Sequence, residues 1–271
     1  MNDQKVLLTG DFWHADFKSV ISSFEVPLTL VPLEKIESVC DSSFDLVVVA
    51  QSRRDQIQLS DIEAIQADFG NTPIVGLLGS WCEGEMRSGT PWPGVTRVYW
   101  HQWRGRFDAF KTQLEESGIT DWHSPKTATP ADRVAIPQPK FIKSKQERNI
   151  GLSAWTQTRH AMLADAVQSF GWNSCWVERT DLSDQTSSQL SAICIDADGW
   201  DDELMQRVNW IKGKSPNTPI VLALNYPRAT DLQEIQDMGV QEVVSKPFEL
   251  VELHAAIERT VSRVSNEVSQ S

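Results

Sequence analysis

The strongest constraint on the fold is an alternation that runs twice along the chain. Short apolar runs, too short to be helices, are separated by stretches with apolar residues at helical spacing. In the C-terminal half the runs fall at 149–153, 174–178, 191–196, 219–224 and 241–245. The run from Ser191 to Asp196 is apolar on both faces, as a strand covered on both sides of a parallel sheet must be. Leu163, Ala166, Val167 and Phe170 stand at i, i+3, i+4 and i+7, and Gly171 ends that helix with a left-handed cap. Leu204, Val208 and Ile211 mark a helix over 201–213, and another is expected over 229–238. Leu250, Leu253, Ile257, Val261 and Val264 form one stripe over 248–264. Alternation of this kind specifies a doubly wound parallel sheet.

The N-terminal half repeats the pattern, with runs at 5–9, 28–31, 45–50, 73–78 and 96–100. Helical spacing appears in Phe17, Val20, Ile21 and Phe24, in Ile62, Ile65 and Phe69, and in Phe107, Phe110 and Leu114. One helix is missing. Between the fourth and fifth runs, Gly84, Gly89, Pro91, Pro93 and Gly94 give loop chemistry instead. The chain reads as an internal duplication: an α/β domain over 1–120, a linker over 121–148 and a second α/β domain over 149–271.

Charge follows the same division. Residues 1–120 carry 10 basic and 17 acidic side chains, residues 149–271 carry 9 and 17, and the net charge of the chain is −12. The segment 121–148 is basic, with 6 against 3, and holds Pro125, Pro130, Pro137 and Pro139, which favour an extended strap. Two acidic globules exclude a nucleic-acid partner as the expectation, because phosphate affinity rests on clustered Lys and Arg. The four cysteines show neither metal-site nor disulfide-framework spacing, so a reduced, cytoplasmic protein is expected. Nothing approaches the roughly 20 apolar residues of a membrane span, and no signal peptide is read at the N-terminus.

The second half carries more specific marks. Lys246-Pro247-Phe248 follows the fifth run, and the third run ends in Asp196 with Asp198-Gly199 behind it. In this order and spacing they resemble the receiver domain of response regulators. The resemblance covers about 120 residues and implies a flavodoxin-like fold. It implies that Asp196 stands at the phosphoacceptor position and Lys246 at the phosphoryl-binding lysine. In that family an acidic pair after the first strand helps the phosphoacceptor hold Mg²⁺, and a Thr or Ser after the fourth strand binds phosphoryl oxygens. Here the acidic pair falls on Ala154 and Trp155, and the hydroxyl position on Leu224, or on Asn225 after a one-residue slip. The pocket is therefore expected to be degenerate and more apolar, without conventional Mg²⁺-dependent phosphorylation. Asp196 and Lys246 persist either as a structural ion pair or as a signalling site.

The same pattern laid on the first half puts Gly10 and Asp11 at the acidic pair, Ala50 at the phosphoacceptor and Leu78 at the hydroxyl position. Alanine accepts no phosphoryl group. Ligands of open α/β sheets bind beyond the carboxyl ends of the strands. Asp11, Trp13, His14, Trp81, Cys82, Trp100, His101 and Trp103 are assigned to that edge, along with Gln51, Ser52, Arg53 and Arg54. Either this is a Trp-rich rim for a ligand or partner, or the aromatics are packing. His14, Cys82, Glu85 and His101 lie on different loops, so spacing neither supports nor excludes a metal there. Cys82 and His101 as nucleophile and base find no supporting motif, and no phosphate-binding glycine loop is present.

These readings converge on a non-catalytic signalling protein of the two-component response-regulator type, with tandem receiver-like domains acting through protein contacts. The resemblance implies a signalling partner such as a histidine kinase. No cofactor is expected, Mg²⁺ entering only if Asp196 is phosphorylated. Two alternatives stand: a conventional phosphoacceptor at Asp196, and a small-molecule sensor or enzyme at the Trp-rich edge. The last helical stripe is either a homodimer face or core.

Overall fold

The apolar runs of the first half fold as β1 (Val6–Gly10), β2 (Leu28–Leu30), β3 (Leu46–Arg53), β4 (Ile74–Trp81) and β5 (Thr96–Tyr99). Those of the second half fold as β6 (Asn149–Ser153), β7 (Asn173–Trp176), β8 (Ala192–Ala197), β9 (Ile220–Asn225) and β10 (Glu242–Lys246). This computed structural model describes residues 4–40, 42–84, 92–118, 120–123, 147–179 and 189–270. The chain divides into two compact units, Met1–Pro139 and Lys140–Ser271.

The two sheets are parallel throughout, ordered β2-β1-β3-β4-β5 and β10-β9-β8-β6-β7. Counted from the start of each unit, both orders are 2-1-3-4-5, the flavodoxin-like winding. The described α-helices of the first unit are α1 (Lys18–Ser22), α2 (Leu59–Phe69) and α3 (Trp103–Ser117). Those of the second are α4 (Gln157–Ser169), α5 (Asp202–Lys214), α6 (Ala229–Asp237) and α7 (Leu250–Gln270).

Central strands buried on both faces explain the continuous apolar runs. In the second unit Ile150, Leu152 and Cys194 pack under α4 and α7. Ile193, Ile195 and Leu222 face α5 and α6 on the other side. In the first, Leu7, Val47 and Val49 meet Ile62, Ile65 and Phe69 of α2. Leu253, Ala256 and Ile257 are buried with Val261 against them, so this part of the α7 stripe is core and not a dimer face. The Val264 side chain lies outside the described residues.

Three local features depart from the sequence pattern. β3 and β4 run past Ala50 and Leu78, pairing Arg53 with Trp81 beyond a bulge. Trp100 leaves the strand for a 3-10 turn. The described start of 121–148 is packed: Asp121–His123 form a 3-10 turn whose Trp122 ring stacks 4.5 Å from Phe110. Residues 124–146 lie outside the description.

One glycine fixes how the first sheet ends. Gly10 has φ +83°, and a Cβ there would stand 2.3 Å from the Ala50 carbonyl oxygen. That same oxygen accepts the Asp11 N–H at 2.9 Å. A left-handed residue without a side chain is what lets β1 close over the end of β3.

Candidate functional site

In the second unit, four elements bring polar side chains to one place at the carboxyl edge of the sheet. Asp196 is the penultimate residue of β8, and Asp198 follows the strand. Asn225 ends β9 and Lys246 ends β10. Arg159 comes from the first turn of α4, which begins where the Thr156 side chain accepts the Arg159 N–H.

Lys246 Nζ donates to Asp196 Oδ1 at 2.8 Å and stands 4.0 Å from Asp198 Oδ1. Arg159 Nη2 is 2.8 Å from both carboxylate oxygens of Asp198, while Nη1 is 3.4 Å from Asp196 Oδ2. Asn225 Nδ2 donates to Asp198 Oδ1 at 3.2 Å. Two cations thus offset two carboxylates. Asp196 is buried, and a buried carboxylate persists only when paired and hydrogen-bonded.

The electrostatics follow the contacts. The hydrogen bond from Arg159 holds the Asp198 carboxyl below the usual carboxylate range, helped by the Arg159 and Lys246 charges and the Asn225 amide. Reciprocally, the hydrogen bond to Asp198 raises the Arg159 guanidinium further. Burial, reinforced by Asp196, pushes the Cys194 thiol up to about 12. Cys194 is therefore a core thiol and not a nucleophile.

The pocket is not apolar, and two assigned positions need correction. Trp155 turns outward: it is 41% exposed, and the Arg207 guanidinium sits 4.1 Å from its ring centroid. Arg207 in turn pairs with Glu178, which also accepts from the Ser153 hydroxyl. Leu224 is wholly buried in the core facing α5 and α6, because strand alternation points it away from the edge. Asn225, one residue on, is the side chain that reaches the site. Ala154 is buried and brings no donor. Arg159 was not singled out from sequence.

These residues do not fit a resident divalent cation. Ala154 and Trp155 supply no carboxylate, and both Asp196 oxygens already face Lys246 or Arg159. Among the described residues, no three His, Cys, Asp or Glu side chains gather as a metal site.

The corresponding edge of the first unit splits in two. Trp100, Trp103 and Cys82 are buried, so they are packing and not rim. Trp103 stacks 5.4 Å from Phe107 and lies 5.9 Å from Trp122. The Cys82 thiol donates to the Gln51 carbonyl at 3.4 Å, and Gln51 Oε1 accepts the Ile57 N–H. Gln51 and Ser52 thereby belong to the buried end of β3 rather than to a loop. His101 stacks on Tyr99 at 5.5 Å, and burial pushes its pKa down to about 4. A sealed thiol and a half-buried, neutral imidazole make no nucleophile–base pair.

Trp13 and Trp81 remain outside, 72% and 70% exposed. Between them the edge is tied by polar contacts. Ser52 donates its hydroxyl proton to Asp11, and the Ser80 N–H donates to Asp16 Oδ2 at 2.7 Å. His14 Nδ1 accepts the Asp16 N–H, capping the 3-10 turn that leads into α1. Glu85 lies outside the described residues.

No family model and no curated protein matches the chain. Solved structures do. A response regulator receiver domain protein from Clostridium thermocellum is 14% identical with a TM-score of 0.37, covering 43% of this chain and 95% of its own. The chemotaxis protein CheY4 of Vibrio cholerae is 16% identical with a TM-score of 0.37, covering 42% and 99%. NtrX from Brucella abortus is 16% identical with a TM-score of 0.38, covering 46% of this chain and 29% of that one. The chain is similar in fold to receiver domains of response regulators.

Proposed function

We propose that this chain is a signal-transduction protein of the response-regulator type, with tandem receiver-like units that act through protein contacts without phosphoryl transfer. One observation carries the reading. Asp196, at the phosphoacceptor position, has both carboxylate oxygens turned to cations of its own chain. An aspartate in that state is a poor nucleophile, and its acidic neighbour Asp198 is itself held by Arg159. In the first unit the equivalent position is Ala50, whose register partner is Gly10. The reading assigns no catalytic step to the chain. Its partners are other signalling proteins, a histidine kinase among the candidates, and no cofactor is needed.

The test is direct. The full chain is incubated with a small acyl phosphate and Mg²⁺, and its intact mass is read. The expected result is no base-labile mass gain. A phosphoryl adduct mapped to Asp196 would replace this reading with a conventional phosphoacceptor.

A further inference from the structure

A cavity of about 330 Å³ opens at the amino ends of the strands in the first unit, at the opposite end of the sheet from Trp13 and Trp81. That volume is within the range of small-molecule sites. Four segments line it: Phe44 and Asp45 before β3, Asn71 and Thr72 before β4, Leu114 of α3, and His123 of the packed 3-10 turn.

The polar groups of the cavity are held in place without being used up. Asp45 Oδ2 accepts the Lys5 N–H at 2.8 Å, and the Asp45 N–H donates back to the Lys5 carbonyl at 2.9 Å. Asp45 Oδ1 has no partner among the described residues, and neither has the exposed Asn71 amide. The Thr72 hydroxyl donates to the Phe44 carbonyl at 3.4 Å, which leaves its oxygen as an acceptor. His123 supplies the donor. Its Nδ1 accepts the Thr120 N–H at 3.2 Å, so the proton of the neutral imidazole sits on Nε2. Burial lowers the His123 pKa, with Asp121 opposing, and favours that neutral form. The ring is also stacked on Phe110, 6.3 Å between centroids.

This inventory selects a ligand by its chemistry. A carboxylate oxygen without a partner calls for a cationic N–H donor, and Thr72 and the Asn71 carbonyl add acceptors for the same ammonium. The imidazole Nε2–H calls for an acceptor. A charged acceptor is disfavoured beside Asp45 and Asp121, in a unit with 10 basic against 17 acidic side chains, so the acceptor is neutral. Phe44 and Leu114 offer cover for an apolar group.

We propose that this cavity binds a primary amine that carries a neutral carbonyl and an apolar side group, with the ammonium on Asp45 and the carbonyl on His123. The site is independent of the phosphoryl reading of the second unit. It gives the first unit, where Ala50 accepts no phosphoryl group, an input of its own.

The experiment is a calorimetric titration of the full chain with phenylalaninamide. A dissociation constant on the order of 10⁻⁴ M is expected. N-acetylphenylalaninamide lacks the charge and free phenylalanine adds a carboxylate, and each should bind at least about tenfold more weakly. Asp45→Asn keeps an oxygen for the Lys5 N–H and loses the charge, and should also weaken binding about tenfold. His123→Phe keeps the ring against Phe110 and loses the Nε2–H, and should weaken it about fivefold. Asn71→Ala removes a side chain with no described partner, so it keeps the test open if the other variants do not fold, and about threefold weakening is expected. The amide of Phe-Gly-Gly separates two sources of the same chemistry: binding equal to phenylalaninamide assigns a peptide amino terminus, and weaker binding assigns a free small molecule. No binding of phenylalaninamide in the millimolar range overturns the proposal. So does equal binding of its acetylated form, or a folded Asp45→Asn that binds like wild type.

Discussion

Lys246 Nζ reaches Asp196 Oδ1 at 2.8 Å across two strands, β10 and β8, with β9 lying between them. The pair therefore clamps the ends of three strands. Truncating the lysine would leave Asp196 buried with Arg159 as its remaining cation. Lys246→Met should cost about 1–3 kcal/mol, less than the loss of a fully isolated buried pair. Urea midpoints measure it. A double-mutant cycle with Asp196→Asn should show that most of the cost belongs to the pair.

Acid should destabilise the first unit through His101. Its pKa is about 4 in the folded chain, against 6.5 for the free side chain. The unfolded chain takes up that proton first, so the stability that burial of neutral His101 preserves is present above pH 6.5. It is lost as pH falls from 6.5 toward 4, up to about 3 kcal/mol. His101→Gln should flatten this part of the profile. Denaturant midpoints between pH 7 and pH 4 test the slope, and an unchanged slope in the variant would contradict the assignment.

Below that window the second unit responds instead. Asp198 is held ionised below the ordinary carboxylate range by Arg159. Its contribution is present above the unfolded carboxylate pKa, near 3.9, and disappears as pH falls through the lower folded value. In Arg159→Gln this loss should shrink, because the folded carboxyl titrates closer to the ordinary carboxylate range. The Asp198 carboxyl carbon shift, followed by NMR, reads the titration directly.

The tryptophans of the first unit should separate into two classes. Trp13→Ala and Trp81→Ala should each change stability by no more than about 0.5 kcal/mol, because both rings face solvent. Trp103→Ala should cost about 3–5 kcal/mol, because its ring is buried among Phe24, Phe107 and Trp122. Acrylamide quenching of the single-Trp variants should rank them in the same order.

Gly10→Ala should destabilise the first unit and leave the second intact. The left-handed backbone alone costs about 1–3 kcal/mol for a residue with a Cβ, and the clash with the Ala50 oxygen adds to it. Hydrogen exchange localises the effect: amides of β1 and β3 should lose protection while those of β6 and β8 keep theirs.

The architecture was legible because the strands are buried on both faces. Runs such as Ile193–Ile195 leave little choice but the centre of a parallel sheet, and Lys246 with Asp196 marked its functional edge. What the pattern concealed was polar. β3 was expected to end at Ala50 because Gln51 and Ser52 break the apolar run. Gln51 nevertheless satisfies its amide against Cys82 and Ile57 inside the unit. Trp100 and Trp103 looked like a rim because they follow a strand end, yet both are buried, Trp103 against Phe107 and Trp122. Arg159 was missed because helical spacing marks it only as an exposed residue of an amphipathic helix. The available signal was the disfavoured placement of a cation in a helix's first turn, with two aspartates elsewhere and one lysine to neutralise them.

The two sheet edges are closed by different kinds of bond. At position 50 of the first unit the closure is main chain to main chain, the Asp11 amide on the Ala50 carbonyl. In the second it is charge to charge, and the Arg159–Asp198 contact lies open to solvent. Ionic strength acts on only one of these. In 1 M salt, where the screening length falls to about 3 Å, the Arg159 tie weakens while the amide closure is untouched. One chain thus carries a salt-responsive edge and a salt-indifferent one on the same winding of strands.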